Sequence, residues 1–214
     1  MTPEPIDISM PLAAGIPLWP GSPGARTTRL KSLSAGDEAE VSSLTMEVHT
    51  GTHLDAPAHM LAGGDTIDDY RLRVGIGEAL VVDTGDAYEL DAGLFASLDI
   101  PAGARRILLH TRNSSHPALA DQPFSDRYAA LTLSGAEWLA EREAELVGID
   151  YLSIQRFHEP IDTHLVLFRA GVTILEGLRL AGVQPGRYEL LCLPLRLVGC
   201  EAAPARAVLR ELDA

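Results

Sequence analysis

Cysteine, basic charge and long apolar runs are all scarce in this 214-residue chain, and each scarcity excludes something. Only Cys192 and Cys200 are present, too few for a disulfide scaffold, and the reading is two thiols in a reducing compartment. Lys and Arg number 17 against 30 Asp and Glu, a formal net charge of −13, so no basic stripe exists to neutralise phosphates and nucleic acid is excluded as a partner. No apolar run approaches the length needed to span a bilayer, and no membrane partner is expected. The first residues, Met1-Thr2-Pro3-Glu4-Pro5, lack the basic start and apolar core of a secretory signal, which leads to the expectation of a soluble cytoplasmic protein. Without repeats, low-complexity segments or linkers, residues 1–214 read as one domain.

Histidine, by contrast, is concentrated. Three of the seven histidines and one aspartate fall within His49-Thr50-Gly51-Thr52-His53-Leu54-Asp55-Ala56-Pro57-Ala58-His59. Imidazole nitrogens and carboxylate oxygens, with no cysteine near in sequence, suit zinc or a neighbouring first-row metal. Leu44, Met46 and Val48 alternate with Thr45, Glu47 and His49, which predicts a half-buried strand with His49 on its polar face. Gly51 allows a turn, and Pro57 forbids a continuous helix through the motif. His53 and Asp55, two residues apart on extended chain, point the same way. The competing reading, surface or core histidines in a polar loop, suits one lone histidine better than this cluster. His59, beyond the proline, is the member most easily placed near a metal without binding it.

Before the motif, Ile6 to Ser9 reads as a short strand and Pro11 to Pro23 as a long Gly/Pro-rich loop carrying Trp19. Trp19 either presents an aromatic face at a site or plugs the domain edge. Two alternating stretches between Arg26 and Val48 surround Ser34-Ala35-Gly36-Asp37 as a hairpin. From Ala79 onward strand and helix alternate: Ala79–Asp83, a helix Asp91–Leu98 capped by Asp91, Arg106–Thr111, a helix opened by the capping box at Ser134 and Glu137, and Leu146–Asp150. Tyr188–Leu195 and Ala205–Leu209 supply two more strands. His110 and His116 lack carboxylate company at ligand spacing and read as structural or surface residues.

A second informative stretch runs from Asp162 to Leu180. Asp162 or Thr163 can cap a short helix starting near His164, and Gly171 can end it. Glu176 then interrupts the apolar run Val172-Thr173-Ile174-Leu175-Glu176-Gly177-Leu178. A carboxylate there is costly to bury without a cation, so Glu176 is a metal-ligand candidate with His164 as companion.

The motif HTGTHLDAPAHM, then His164 and ILEGLRL around Glu176, resembles the metal-dependent cyclase family, whose best-known member is bacterial kynurenine formamidase. Trp19-Pro20-Gly21, Val147-Gly148-Ile149-Asp150, Tyr188-Glu189-Leu190-Leu191 and Ala203-Pro204-Ala205-Arg206 extend the resemblance nearly end to end. It implies a swivelling β/β/α fold of the α/β (α+β) class, usually a homodimer or larger. It also implies two divalent metal ions, zinc before manganese: His49, His53 and Asp55 would hold one, and Asp55, His164 and Glu176 the other. His59 would transfer protons and Trp19 would line the substrate pocket. Two features depart from the formamidase branch: Tyr151-Leu152-Ser153 stands in place of Thr-Pro-Ser, and Leu165 follows His164 in place of a second histidine. The chain thus looks like the unspecialised members.

The expected activity is metal-assisted hydrolysis of a C–N amide bond in a small aromatic or cyclic molecule. The alternatives are opening of a cyclic amide such as isatin or of a lactone, or a metal-binding protein without turnover.

Overall fold

The computed structural model of the chain describes residues 4–115 and 124–212. His116 lies outside the described residues. Among the described residues there are twelve strands: β1 (Ile6–Asp7), β2 (Arg26–Lys31), β3 (Val41–Thr45), β4 (His53–Asp55), β5 (Ile76–Asp83), β6 (Glu89–Leu90), β7 (Arg106–His110), β8 (Ala130–Leu131), β9 (Leu146–Ile149), β10 (Thr173–Glu176), β11 (Gly186–Pro194) and β12 (Ala202–Glu211). The order β1-β12-β11-β5-β7-β9-β10-β4 would be an open sheet, but β4 also pairs with β12. The pairing closes a seven-stranded barrel-like ring, with β1 attached to the far part of β12's free edge. This mixed α+β architecture agrees with the cyclase-type fold expected from the sequence. No helix among the described residues is long and apolar enough to cross a membrane.

Period-two alternation sorts the side chains of the ring. Leu54, Val81, Leu108, Leu146, Leu175 and Leu190 belong to one buried cluster, the barrel interior. Their neighbours Val82, Ile107, Leu109, Val147, Ile149 and Ile174 belong to another, packed under helices Ala92–Ser97, Leu133–Glu141 and Asp162–Arg169 through Phe95, Leu139 and Leu167. Because Leu54 points inward, His53 and Asp55 on β4 point outward. Glu176 shares that outer face, directly opposite His53 in the antiparallel β4–β10 register.

Most predicted elements are found, with three corrections. The helix at Ala92–Ser97 is capped by Asp91, whose Oδ1 accepts from Leu94 N at 2.7 Å. The next helix begins at Leu133, and its cap lies two residues before the expected serine: Thr132 accepts from Gly135 N at 3.3 Å. The capping-box spacing misled because Thr132 and Ser134 are both competent acceptors and only one lies at the strand-to-helix corner. The third helix begins at Asp162 after Ile161, with no side-chain cap, so His164 sits inside its first turn. β3 ends at Thr45, short of the motif, and its hairpin with β2 pairs only with itself. Leu44, expected on a half-buried face, is 54% exposed. Cys192 is buried, Cys200 partly so, and both are free thiols.

One backbone contact ties the motif to Glu176. Gly177 has φ +70, and a Cβ built there would lie 2.3 Å from Gly51 O. Gly171, φ +76, has nothing within 4 Å. Gly171→Ala should therefore cost only the left-handed penalty, about 1–2 kcal/mol. Gly177→Ala should cost a further roughly 1–3 kcal/mol for overpacking. Urea midpoints of the two variants test this, and equal midpoints would contradict the close approach.

Candidate metal centre

Six titratable side chains from separate segments meet on the outer face of β4 and β10. His53 and Asp55 come from β4, Glu176 from β10, His164 from the helix Asp162–Arg169, and His59 from the single 3-10 turn Pro57–His59 that the proline opens. His49 comes from a turn, not from the strand that the alternation predicted. The chain must leave the β2–β3 hairpin to enter β4, and it does so through a turn in which Thr50 N donates to Glu47 O at 3.1 Å. Thr52 anchors this corner, accepting from Met10 N at 2.7 Å and donating to Gly177 O at 2.6 Å.

The distances are short. His49 Nδ1 and His53 Nε2 lie 3.1 and 3.2 Å from Asp55 Oδ1. His53 Nε2 is also 3.4 Å from Glu176 Oε2, and His164 Nε2 is 3.4 Å from Glu176 Oε1. The rings of His49 and His59 are 4.3 Å apart between centroids. Donor atoms of His49, Asp55 and His59 fall within 4.8 Å of one another, as do those of His53, Asp55 and Glu176, so two donor sets share Asp55. His164 joins the second set through Glu176.

The hydrogen bonding shows what this arrangement is suited to hold. His53 Nδ1 lies 3.0 Å from Gly51 O. A carbonyl only accepts, so Nδ1 carries the hydrogen and the neutral ring presents its Nε2 lone pair to two carboxylates. His53 Nε2, Asp55 Oδ1 and Asp55 Oδ2 are buried with no hydrogen-bond partner. Lone pairs facing carboxylates in a buried site are repulsive unless a cation, either a metal ion or the ring's own second proton, lies between them. The all-nitrogen-and-oxygen donor set fits a divalent metal.

Protonation responds to the same crowding. Burial lowers the pKa of His49 and His53, but Asp55, joined by Glu176, outweighs it and raises both, His53 strongly. Burial raises Asp55 and Glu176, and Asp55's charge raises Glu176 further. The imidazoles win in both cases and hold the carboxyls below their ordinary values: His53 and His49 for Asp55, His164 and His53 for Glu176. His59 shifts the other way, lowered chiefly by burial despite the pull of Asp55.

A cavity of about 430 Å³ adjoins the cluster, lined by His49, His53, His59, His164 and Glu176 and, beyond them, by apolar and aromatic side chains together with the charged Glu47, Arg156 and Glu159. Trp19 lines it, 38% exposed, with its ring 5.1 Å from Phe157 and 5.6 Å from Phe124. His110 is not among these donors; it ends β7 with a buried, unpartnered Nδ1. Sequence reasoning passed over Gln155, which lines the cavity and bonds His164. A glutamine carries no charge signal, and its position two residues after Ser153 was the only hint.

The fold and site together define a closed mixed-sheet protein with a buried, metal-type cluster beside an aromatic-walled cavity. The family described as putative cyclase matches residues 6–156. Cyclase-like protein 1 of Arabidopsis thaliana is 40% identical over 213 residues, covering 95% of this chain and 83% of its own length. Kynurenine formamidase of Maricaulis maris is 36% identical over 210 residues, covering 96% and 97%. A solved structure described as a potential metal-dependent hydrolase with cyclase activity superposes with a TM-score of 0.85 at 35% identity, over 99% of each chain. The chain belongs to the putative cyclase family.

Protons and a divalent metal would compete for the ring nitrogens of His49 and His53. In the metal-free protein their pKa values are raised above 6.5, so the stability that protonation contributes is complete below about 6.5 and is lost as pH rises through the raised values. A metal held by these rings would have to displace those protons, and its affinity would run the opposite way. Zinc titrated into the metal-free protein should bind more weakly at pH 6 than at pH 8, with proton release detectable by calorimetry. A flat affinity would show that these imidazoles are not ligands.

Proposed function

We propose that the chain is a metal-dependent hydrolase that cleaves the C–N amide bond of a small aromatic substrate, in the manner of an arylformamidase. The observation that carries this reading is the meeting of two donor sets sharing Asp55 with a cavity walled in part by aromatic side chains. The similarity to a kynurenine formamidase and to a structure described as a potential metal-dependent hydrolase supports it.

We assign His49, His53 and Asp55 to one ion and Asp55, His164 and Glu176 to a second, zinc first and manganese next among the metals such donors hold. Bound there, the ions supply Lewis acidity and bring the pKa of a water toward about 7. The chain's own side chains do the rest. Trp19 and Phe157 hold a flat ring at the mouth of the cavity. His59, kept neutral by burial, accepts the proton lost by the attacking water. It then delivers that proton to the departing nitrogen, because an amine leaves poorly unless protonated. Carboxylates at Asp55 and Glu176 stay ionised throughout, so they bind cations and do not compete for the proton.

Opening of a cyclic amide or a lactone needs the same groups, and differs in that the leaving atom stays tethered. A homodimer is proposed from the resemblance, and sedimentation velocity reads it directly.

The wild-type protein purified without chelator should carry close to two metals per chain by elemental analysis, and Glu176→Ala should lose them sharply. One metal indifferent to Glu176 would overturn the two-ion assignment. On a panel of aryl formamides, cyclic amides and lactones with added zinc or manganese, the formamides should turn over best. His59→Ala should keep its metal and lose about 10²–10⁴-fold in kcat. Full turnover in that variant would remove His59 from proton transfer.

A further inference from the structure

We propose that Gln155 is a positioning residue that fixes the ring tautomer of His164 and thereby sets the affinity of the second ion; this rests on the two-ion reading above. Its side chain is nearly buried and makes two hydrogen bonds that together leave one arrangement. Nε2 donates to the main-chain oxygen of Glu159 at 3.2 Å. That oxygen can only accept, so the amide nitrogen must face it and Oε1 must face His164 Nδ1, 3.1 Å away. An amide oxygen can only accept in turn, so Nδ1 of His164 carries the hydrogen. The lone pair of the neutral ring is then on Nε2, the atom 3.4 Å from Glu176 Oε1.

The main chain of the same residue is pinned. Gln155 N donates to Ser153 Oγ at 3.2 Å, and Gln155 O accepts from the Tyr128 hydroxyl. Its neighbour Ile154 donates its amide to Glu176 Oε1 at 2.7 Å. Two consecutive residues therefore orient both groups that are assigned to the second ion alone, Ile154 the carboxylate and Gln155 the imidazole. Neither makes a hydrogen bond to the side chains of His49, His53 or Asp55, so a lesion at Gln155 should act on one ion and spare the other. A neighbour of this kind that holds a histidine ligand typically accounts for 10–100-fold in metal affinity.

The test compares the full chain with Gln155→Leu and Gln155→Glu by stepwise zinc titration, with the melting temperature of each metal-free protein as a control. Long-range proton–nitrogen correlation spectra of the zinc-loaded, nitrogen-15 histidine-labelled protein read the tautomer. The wild type should show His164 with its hydrogen on Nδ1. Gln155→Leu should bind the first ion unchanged and the second 10–100-fold more weakly. Gln155→Glu keeps the acceptor for Nδ1 and forfeits only the bond to Glu159, so it should hold the second ion as the wild type does while melting lower.

Three results would overturn the proposal: a wild-type His164 with its hydrogen on Nε2, a Gln155→Leu variant with an unchanged second affinity, or loss of both ions together with a lowered melting temperature in that variant. The two-ion reading fails separately, if the wild type takes up one ion only. The His164 tautomer then still decides the role of Gln155.

Discussion

Two carboxylates buried on one sheet face are the constraint around which this molecule is arranged. Asp55 and Glu176 are each almost fully buried, and both are pressed against imidazole nitrogens. Their mutual repulsion and desolvation are large in a low-dielectric setting, and a hydrogen-bonding protein would normally surround them with N–H donors. Here Glu176 takes one main-chain amide and Asp55 takes none, which leaves the cluster to be completed by cations. His53 and His164 are turned accordingly: a main-chain or amide oxygen occupies Nδ1 of each, so that Nε2 faces the carboxylates.

That geometry depends on β4, a strand of only three residues. It pairs with β10 on one side and β12 on the other, and this double pairing both closes the barrel and places His53 opposite Glu176. An edge strand this short would fray. Bonded on both edges, and with Leu54 fully buried in the barrel, it becomes one of the better-fixed segments of the chain. The site thus gets its precision from long-range pairing, between residues more than a hundred positions apart in sequence, and the local turns at Gly51 and Gly177 only have to accommodate it.

This explains which parts of the molecule the sequence disclosed. The dense motif from His49 to His59 and the lone carboxylate in the run from Val172 to Leu178 are visible because their chemistry conflicts with their surroundings. The capped helix after Asp91 is visible because capping is local. The closure of the barrel is not, since no property of His53–Asp55 specifies two partners. The alternation from Leu44 to Val48 suggested a buried face where there is a self-paired, exposed hairpin, because period two reports pleating and not what covers it. Gln155 escaped because its role depends on what accepts its amide hydrogen, which only the folded chain defines.

The buried cluster and the aromatic wall of the cavity come from different parts of the chain. Four of the six clustered side chains sit on strands or in a helix that pack into the two cores, while the aromatic wall comes from the loop bearing Trp19 and the segment around Phe157. Loops tolerate change far better than a doubly paired strand, so in the proposed reading the range of substrates can drift while the ion-binding chemistry stays fixed. The exception is the segment from Leu152 to Phe157. It lines the cavity with Leu152, Ser153 and Phe157, yet it also orients Glu176 through Ile154 and His164 through Gln155. A substitution that reshapes the cavity there also moves Glu176 and His164, so in the proposed reading substrate preference and metal affinity are coupled through that one stretch.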